Sequence, residues 1–179
     1  MACPAPVSDV LRHAVPVTYR VMTVCTGNIC RSPMAEVVLR ARFEAAGLDV
    51  EVDSSGISDE EHGNRIDRRA RAVLLAHGYD PLEGHRARRF AASDLPARDL
   101  VLAMTAHHAR ALRRAADPDV AARVVMYRHF DPATRDDATD AELDLADPWY
   151  GGPSDFESCL AQIEAAADGV VAHVRDALA

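Results

Sequence analysis

The sequence predicts an α/β domain: a doubly wound, four-stranded parallel sheet with helices on both faces. Three observations predict it. Three short runs are apolar, as buried strands are, and a fourth alternates apolar with polar residues. Segments of helical periodicity separate them, and strand–helix alternation requires crossovers and so parallel pairing. The 179 residues, 49 % of them hydrophobic, are one domain's worth of chain and enough to bury a core.

The elements follow in order. Residues 1–18 hold Pro4, Pro6 and Pro16 with little periodicity; a poorly ordered extension is expected there, ahead of a single domain at 19–179. Tyr19–Val24 is the first strand. Ser32-Pro33 opens a helix, since Ser suits the N-cap and Pro the first helical position. Met34, Val37, Val38 and Ala41 recur at helical spacing, and Gly47 ends the helix. Val50–Asp53 alternates as a short strand does. Asp67–His77 is a helix with Gly78 beyond its end. Leu100–Met104 is a buried strand, and a helix follows at about Ala106–Ala115. Val124–Tyr127 is the fourth strand. Asp131–Gly152 is a long acidic loop with Pro132 and Pro148. Asp155–Leu178 is the last helix, apolar at Phe156, Leu160, Ile163, Val170, Val174 and Leu178. Such sheets bind ligands beyond the carboxyl ends of their strands, which draws attention to residues 25–33.

Charge narrows the function. There are 28 acidic and 20 basic residues, the latter all arginine, for a net charge of −8. From residue 131 onward 12 acids face 2 arginines. A net −8 argues against a general nucleic-acid binder, which must neutralise phosphates. No apolar run reaches the length of a membrane span, and Asp9, Arg12 and His13 interrupt any signal peptide. A cytoplasmic protein with no membrane contact is expected. The four cysteines (Cys3, Cys25, Cys30, Cys159) form no C-x-x-C pair, and the histidines lack ligand spacing. No metal and no cofactor are therefore expected.

The segment after the first strand is Cys25-Thr26-Gly27-Asn28-Ile29-Cys30-Arg31-Ser32-Pro33. It leaves a strand, curls through a Gly-Asn pair that tolerates unusual backbone angles, and enters a helix. Successive amides in such a turn converge into an anion-binding nest, and the helix dipole adds positive potential. Arg31 can close the ring with a bidentate contact to an oxyanion. Cys25 stands at the base of this field, which favours its thiolate and points it at a bound phosphorus. A bare Cys-x5-Arg is also what a buried cysteine before an ordinary turn leaves behind. The strand before it and the helix start after it weigh against that reading. A Walker phosphate loop is excluded, because no Gly-Lys-Ser/Thr occurs.

From Val24 to Glu36 the chain resembles the low-molecular-weight protein tyrosine phosphatases, and the resemblance extends from about Tyr19 to Leu178. A second motif supports it: Asp147-Pro148-Trp149-Tyr150-Gly151, followed by Ser-Asp-Phe-Glu at 154–157. The motifs lie 122 residues apart. Heavy arginine and alanine use suggests a high-GC bacterial gene. The resemblance implies a phosphatase acting on tyrosine-phosphorylated proteins. A monomer, self-associating weakly at most, is expected. It implies Cys25 as nucleophile, Arg31 and the amides of 26–31 as the phosphate cradle, and Asp147 as general acid and then base. Asn28, Ser32, Ser54 and His85 match the family's hydrogen-bonding set that braces the loop. Cys30 matches a residue that in the family can pair reversibly with the nucleophile and protect it from over-oxidation.

The sequence departs from the family at three places. Where an aromatic residue commonly walls the site, this chain has Glu60, beside Glu61. A carboxylate there weakens stacking on an aryl ring and repels a dianion. Trp149 and Tyr150 remain as wall candidates. The family's Met-Asp pair after the third strand is Met104-Thr105 here, a change expected to be tolerated. The third departure is the N-terminal extension itself. Three alternatives share this fold or loop. Arsenate reductases need two further cysteines around 85–105, and there are none. Protein-arginine phosphatases carry Thr where this chain has Ile29. An inert phosphate-binding module would lack the nucleophile, the arginine or the acid, and all three are present.

Overall fold

A computed structural model describes residues 18–179, so the expected N-terminal extension lies, Thr18 apart, outside the described residues. Four strands form one sheet: β1 (Tyr19–Cys25), β2 (Val50–Gly56), β3 (Leu100–Ala103) and β4 (Val124–Met126). Their order is β2-β1-β3-β4, and every adjacent pair is parallel. The helices are α1 (Arg31–Ala45), α2 (Arg68–Ala76), α3 (Ala106–Ala115), α4 (Pro118–Ala121) and α5 (Pro153–Leu178). The doubly wound expectation holds.

Side-chain alternation explains the two-faced packing. Along β1, Val21 and Cys25 point to one face, Met22 and Val24 to the other. The first face is covered by α1, α2 and α5, the second by α3. Phe156, Leu160, Ile163, Val170 and Val174 of α5 are fully buried, each worth roughly 1.5–3 kcal/mol of transfer free energy. Leu178 at the helix end stays exposed. Gly47 and Gly78 take positive φ (66° and 80°) just beyond α1 and α2, which stops both helices where the sequence places their ends.

Several boundaries differ from the expected ones. β2 runs on to Gly56, because Thr23, Val24 and Cys25 pair with Ser54, Ser55 and Gly56. β4 stops at Met126; Tyr127 instead begins a 3-10 turn, fully buried, with its hydroxyl donating to the Ile163 carbonyl (3.0 Å). The helix after β1 starts at Arg31, with Cys30 as N-cap and no side-chain cap bond. Ser32 is therefore not the N-cap. Its hydroxyl is drawn inward, to the partners described below.

The strand order places the chemistry. From β1 the chain steps to one side to make β2, then crosses to the other side to make β3. The crevice opened by such a reversal lies at the carboxyl end of β1, where Cys25 sits opposite Gly56.

Candidate active site

The loop from Cys25 to Arg31 is held in shape by Asn28. Asn28 is fully buried with φ 59°, a left-handed conformation that costs a non-glycine residue roughly 1–2 kcal/mol. Its side chain makes three hydrogen bonds in return. Nδ2 donates to Ser32 Oγ (3.0 Å) and Ser54 Oγ (2.9 Å), and Oδ1 accepts from the Arg88 amide (3.0 Å). The Asn28 carbonyl accepts from His85 Nε2 (2.8 Å), which assigns the ring proton to Nε2. Burial, and then the Arg86 charge, push His85 below its ordinary value, so it stays neutral in that role. The neighbouring strand presses on the same loop. A Cβ on Gly56 would stand 2.4 Å from the Thr26 carbonyl oxygen and 3.2 Å from the Asn28 nitrogen. Both are backbone atoms, so the loop itself would have to move. Gly56→Ala should cost about 100-fold in kcat/KM, since an ångström of misplacement has that effect, with the fold retained by circular dichroism.

Ser32 Oγ lies 3.0 Å from Cys25 Sγ and 3.1 Å from the Ser55 carbonyl. The single hydroxyl proton can serve the Ser55 carbonyl or the sulfur; with the sulfur a thiolate, the charged acceptor competes better for it. Thr23 Oγ1 donates to the Ser32 carbonyl (2.9 Å) and fixes the first helical turn. Met34 closes the first backbone bond of α1, to the Cys30 carbonyl (3.1 Å), so the helix end that meets the loop is electropositive. Cys30 is buried, and burial first, then Asp67, push its thiol above its ordinary value. Cys159 is also buried, its thiol pushed up to about 12, which fits an inert residue.

Arg31 is 4 % exposed and aims across the loop. Its Nη1 donates to the Leu145 carbonyl (3.2 Å) and its Nη2 to Thr26 Oγ1 (3.3 Å). Nη2 also pairs with the Asp147 carboxylate. Its Nε is buried and has no hydrogen-bond partner among the described residues. This N–H is a donor left over for a ligand. Asp147 arrives from 116 residues away, and its other oxygen accepts from the Trp149 amide (3.1 Å).

Cys25, Thr26, Gly27, Ile29, Cys30, Arg31, Glu60, Glu61, Asp147, Trp149 and Tyr150 line one cleft of about 130 Å³. Asn28, Ser32, Ser54 and His85 stand behind it as a brace. The structure thus gathers every predicted site residue. Tyr150 is almost wholly exposed at the rim, and Trp149 partly so. Among the described residues no cluster of His, Cys, Asp and Glu could hold a metal ion.

Two residues carry no clear signal in the sequence. Arg69, on α2, grips the loop that carries Asp147; nothing in the spacing of the sequence announces that contact. His108, on α3, is 1 % exposed, with Nε2 3.0 Å from Thr26 Oγ1 and Nδ1 2.9 Å from Thr105 Oγ1. Its only sequence signal is its place on the apolar side of α3, with Ala109 and Leu112. Thr105, the departure from Met-Asp, caps α3 through its hydroxyl and orients this ring. Burial first, then the Arg31 and His107 charges, push His108 down to about 3. The unfolded chain therefore takes up a proton that the folded one refuses. Stability is full above the ordinary value of about 6.5 and falls with pH by ~1.4 kcal/mol per unit toward 3. Between pH 6.5 and 4.5 the unfolding free energy from urea titrations should fall by roughly 2–3 kcal/mol more in this protein than in His108→Gln. Equal falls would deny His108 that burial.

Residues 20–178 match the family model described as low molecular weight phosphotyrosine protein phosphatase. A low molecular weight protein-tyrosine-phosphatase of Streptomyces coelicolor is 50 % identical over 162 residues, covering 89 % of this chain and 95 % of that protein. Low molecular weight protein-tyrosine phosphatase A of Mycobacterium tuberculosis is 45 % identical over 158 residues, 87 % of this chain and 91 % of its own. The crystal structure of a protein tyrosine phosphatase from Entamoeba histolytica superimposes with a TM-score of 0.81 at 25 % identity, covering 89 % of this chain and 99 % of that one. With the match running over nearly the whole chain, this protein belongs to the low molecular weight phosphotyrosine protein phosphatase family.

Proposed function

We propose that this phosphatase hydrolyses phosphotyrosine in proteins through a cysteinyl-phosphate, with Cys25 as nucleophile, Arg31 as clamp and Asp147 as acid and base. The observation that carries the reading is the convergence of Cys25, Arg31 and Asp147 on one cleft, with the Asp147 carboxylate paired to the Arg31 guanidinium. In the first step the Cys25 thiolate forms a bond to phosphorus and the ester oxygen leaves, taking its proton from Asp147. Arg31 and the loop amides hold the three equatorial oxygens as the charge shifts. The phosphoryl group displaces Asp147 from Arg31, and the freed carboxylate binds a solvent proton, which it delivers to the leaving oxygen. In the second step water attacks phosphorus, Asp147 takes its proton, and inorganic phosphate and the thiolate are released.

The partners are tyrosine-phosphorylated proteins, and the compartment is the cytoplasm, where reducing conditions keep a nucleophilic thiol usable. One chain supplies every residue of the site, which suits a monomer. No described helix is long and apolar enough to cross a membrane. Ile29 lines the cleft and favours a flat aryl ester over the guanidinium of a phosphoarginine. Glu60 and Glu61 stand on the rim with Asp147, so the mouth of the site is acidic and suits peptides with basic flanks. Parallel assays on phosphotyrosine peptides, phosphoarginine and arsenate test the whole reading. Turnover of the phosphotyrosine peptides alone is expected, faster at low salt for basic flanks than for acidic ones. Preference for phosphoarginine or arsenate would overturn the substrate class, and faster turnover of acidic flanks would overturn the role of the rim.

A further inference from the structure

We infer that Arg69 is a positioning residue for the general acid, acting through the backbone turn at Trp149. Arg69 is the second residue of α2. Its Nε and Nη2 fork onto the two carboxylate oxygens of Asp67 (3.1 and 3.2 Å). Its Nη1 donates to the carbonyls of Trp149 and Gly151 (3.1 Å each). Asp67 is the helix N-cap, accepting from the Arg69 amide (2.8 Å), and its own amide donates to the Ile29 carbonyl (2.9 Å). A continuous chain of bonds therefore runs from the phosphate-binding loop at Ile29, through Asp67 and Arg69, to the loop that carries the acid.

The chain ends on the reacting group. The carbonyl of Trp149 is held by Arg69, and the amide of the same residue donates to Asp147 Oδ1 (3.1 Å). The two groups lie in the peptide planes on either side of the Trp149 Cα, and the 3-10 turn Pro148–Tyr150, closed by the Gly151 amide on the Pro148 carbonyl (2.9 Å), fixes the angles between them. Holding the carbonyl therefore restrains the turn, and with it the amide that holds one oxygen of Asp147. The other oxygen is left to meet the leaving group. The guanidinium also lies 5.4 Å from the Trp149 ring centroid and 4.6 Å from that of Phe156, at the start of α5. Its plane is thus set by packing as well as by hydrogen bonds. The planar fork is needed for this. An ammonium group is a point charge and cannot span a carboxylate and two carbonyls at once.

The inference rests on Asp147 as the acid, so the experiment carries a control for that. The measured quantity is the ratio of kcat/KM for phenyl phosphate to that for p-nitrophenyl phosphate, whose leaving group needs far less protonation. Asp147→Asn must lower this ratio; if it does not, the assignment of the acid fails, and this inference with it. Given that control, Arg69→Met should lower the ratio about 10-fold or more, with the inhibition constant of inorganic phosphate little changed. Arg69→Lys, which keeps the charge, should lower it in the same direction. In the Asp147→Asn background, Arg69→Met should add no further drop in the ratio. Equal losses on both esters, or an unchanged ratio in Arg69→Lys, would leave Arg69 a structural residue only and overturn the inference. If Arg69→Met does not fold, the Lys variant decides.

Discussion

Cys25→Ser should abolish turnover, by at least ~10⁴-fold, while the protein still binds inorganic phosphate or vanadate. The argument is one of atoms. Serine keeps roughly the size of the side chain and a polar atom facing Ser32 Oγ, which lies 3.0 Å from the sulfur. It does not supply a thiolate, and a neutral hydroxyl has no base beside it to remove its proton. The cradle is untouched, because Arg31 and the amides of the loop bind the anion without the sulfur. Single-turnover trapping with a phosphorus-labelled aryl phosphate should show label on the wild-type protein and none on the variant. Residual turnover within 100-fold of wild type would end the covalent scheme.

Asp147→Asn should have the next largest effect, roughly 10²–10⁴-fold in kcat/KM for phenyl phosphate and much less for p-nitrophenyl phosphate. The substitution is nearly isosteric. Asn Oδ1 can still accept from the Trp149 amide, so the loop should keep its shape. Asparagine carries no transferable proton, and it no longer competes as an anion for Arg31, with which Asp147 pairs. The loss should therefore fall on kcat and not appear as a raised KM. A raised KM with kcat intact would mean that Asp147 binds substrate and does not move a proton.

Local chemistry makes much of the site legible in the sequence. The strand into Cys25, the Gly27-Asn28 turn and the entry to α1 are neighbours along the chain, so short-range geometry dictates how they meet. The four strands are also legible, three as apolar runs and β2 by the alternation of Val50–Asp53. Their ends are less so. β2 extends to Gly56 only because β1 offers it a partner as far as Cys25, and pairing is not a local property. Ser32 shows how a local rule fails. Its N-cap propensity predicts a helix start there. In the fold it serves Cys25, Asn28 and Ser55, and Cys30 takes the cap position without a side-chain bond.

By itself, then, the sequence determined the chemistry expected of this protein: a nucleophilic cysteine in an anion-binding turn, an arginine to close it, and an acid in an Asp-Pro loop. It also determined the class of fold that could present them. Only the tertiary structure decided which distant groups join them. The order β2-β1-β3-β4 puts the end of β1 at a crevice, and crossovers then bring Asp147 against Arg31 from 116 residues away. The same packing sets His108 against Thr26 and Arg69 against the acid loop. Backbone propensity acts over a few residues. Side-chain partnership depends on which faces the sheet buries together, and no local pattern carries that information.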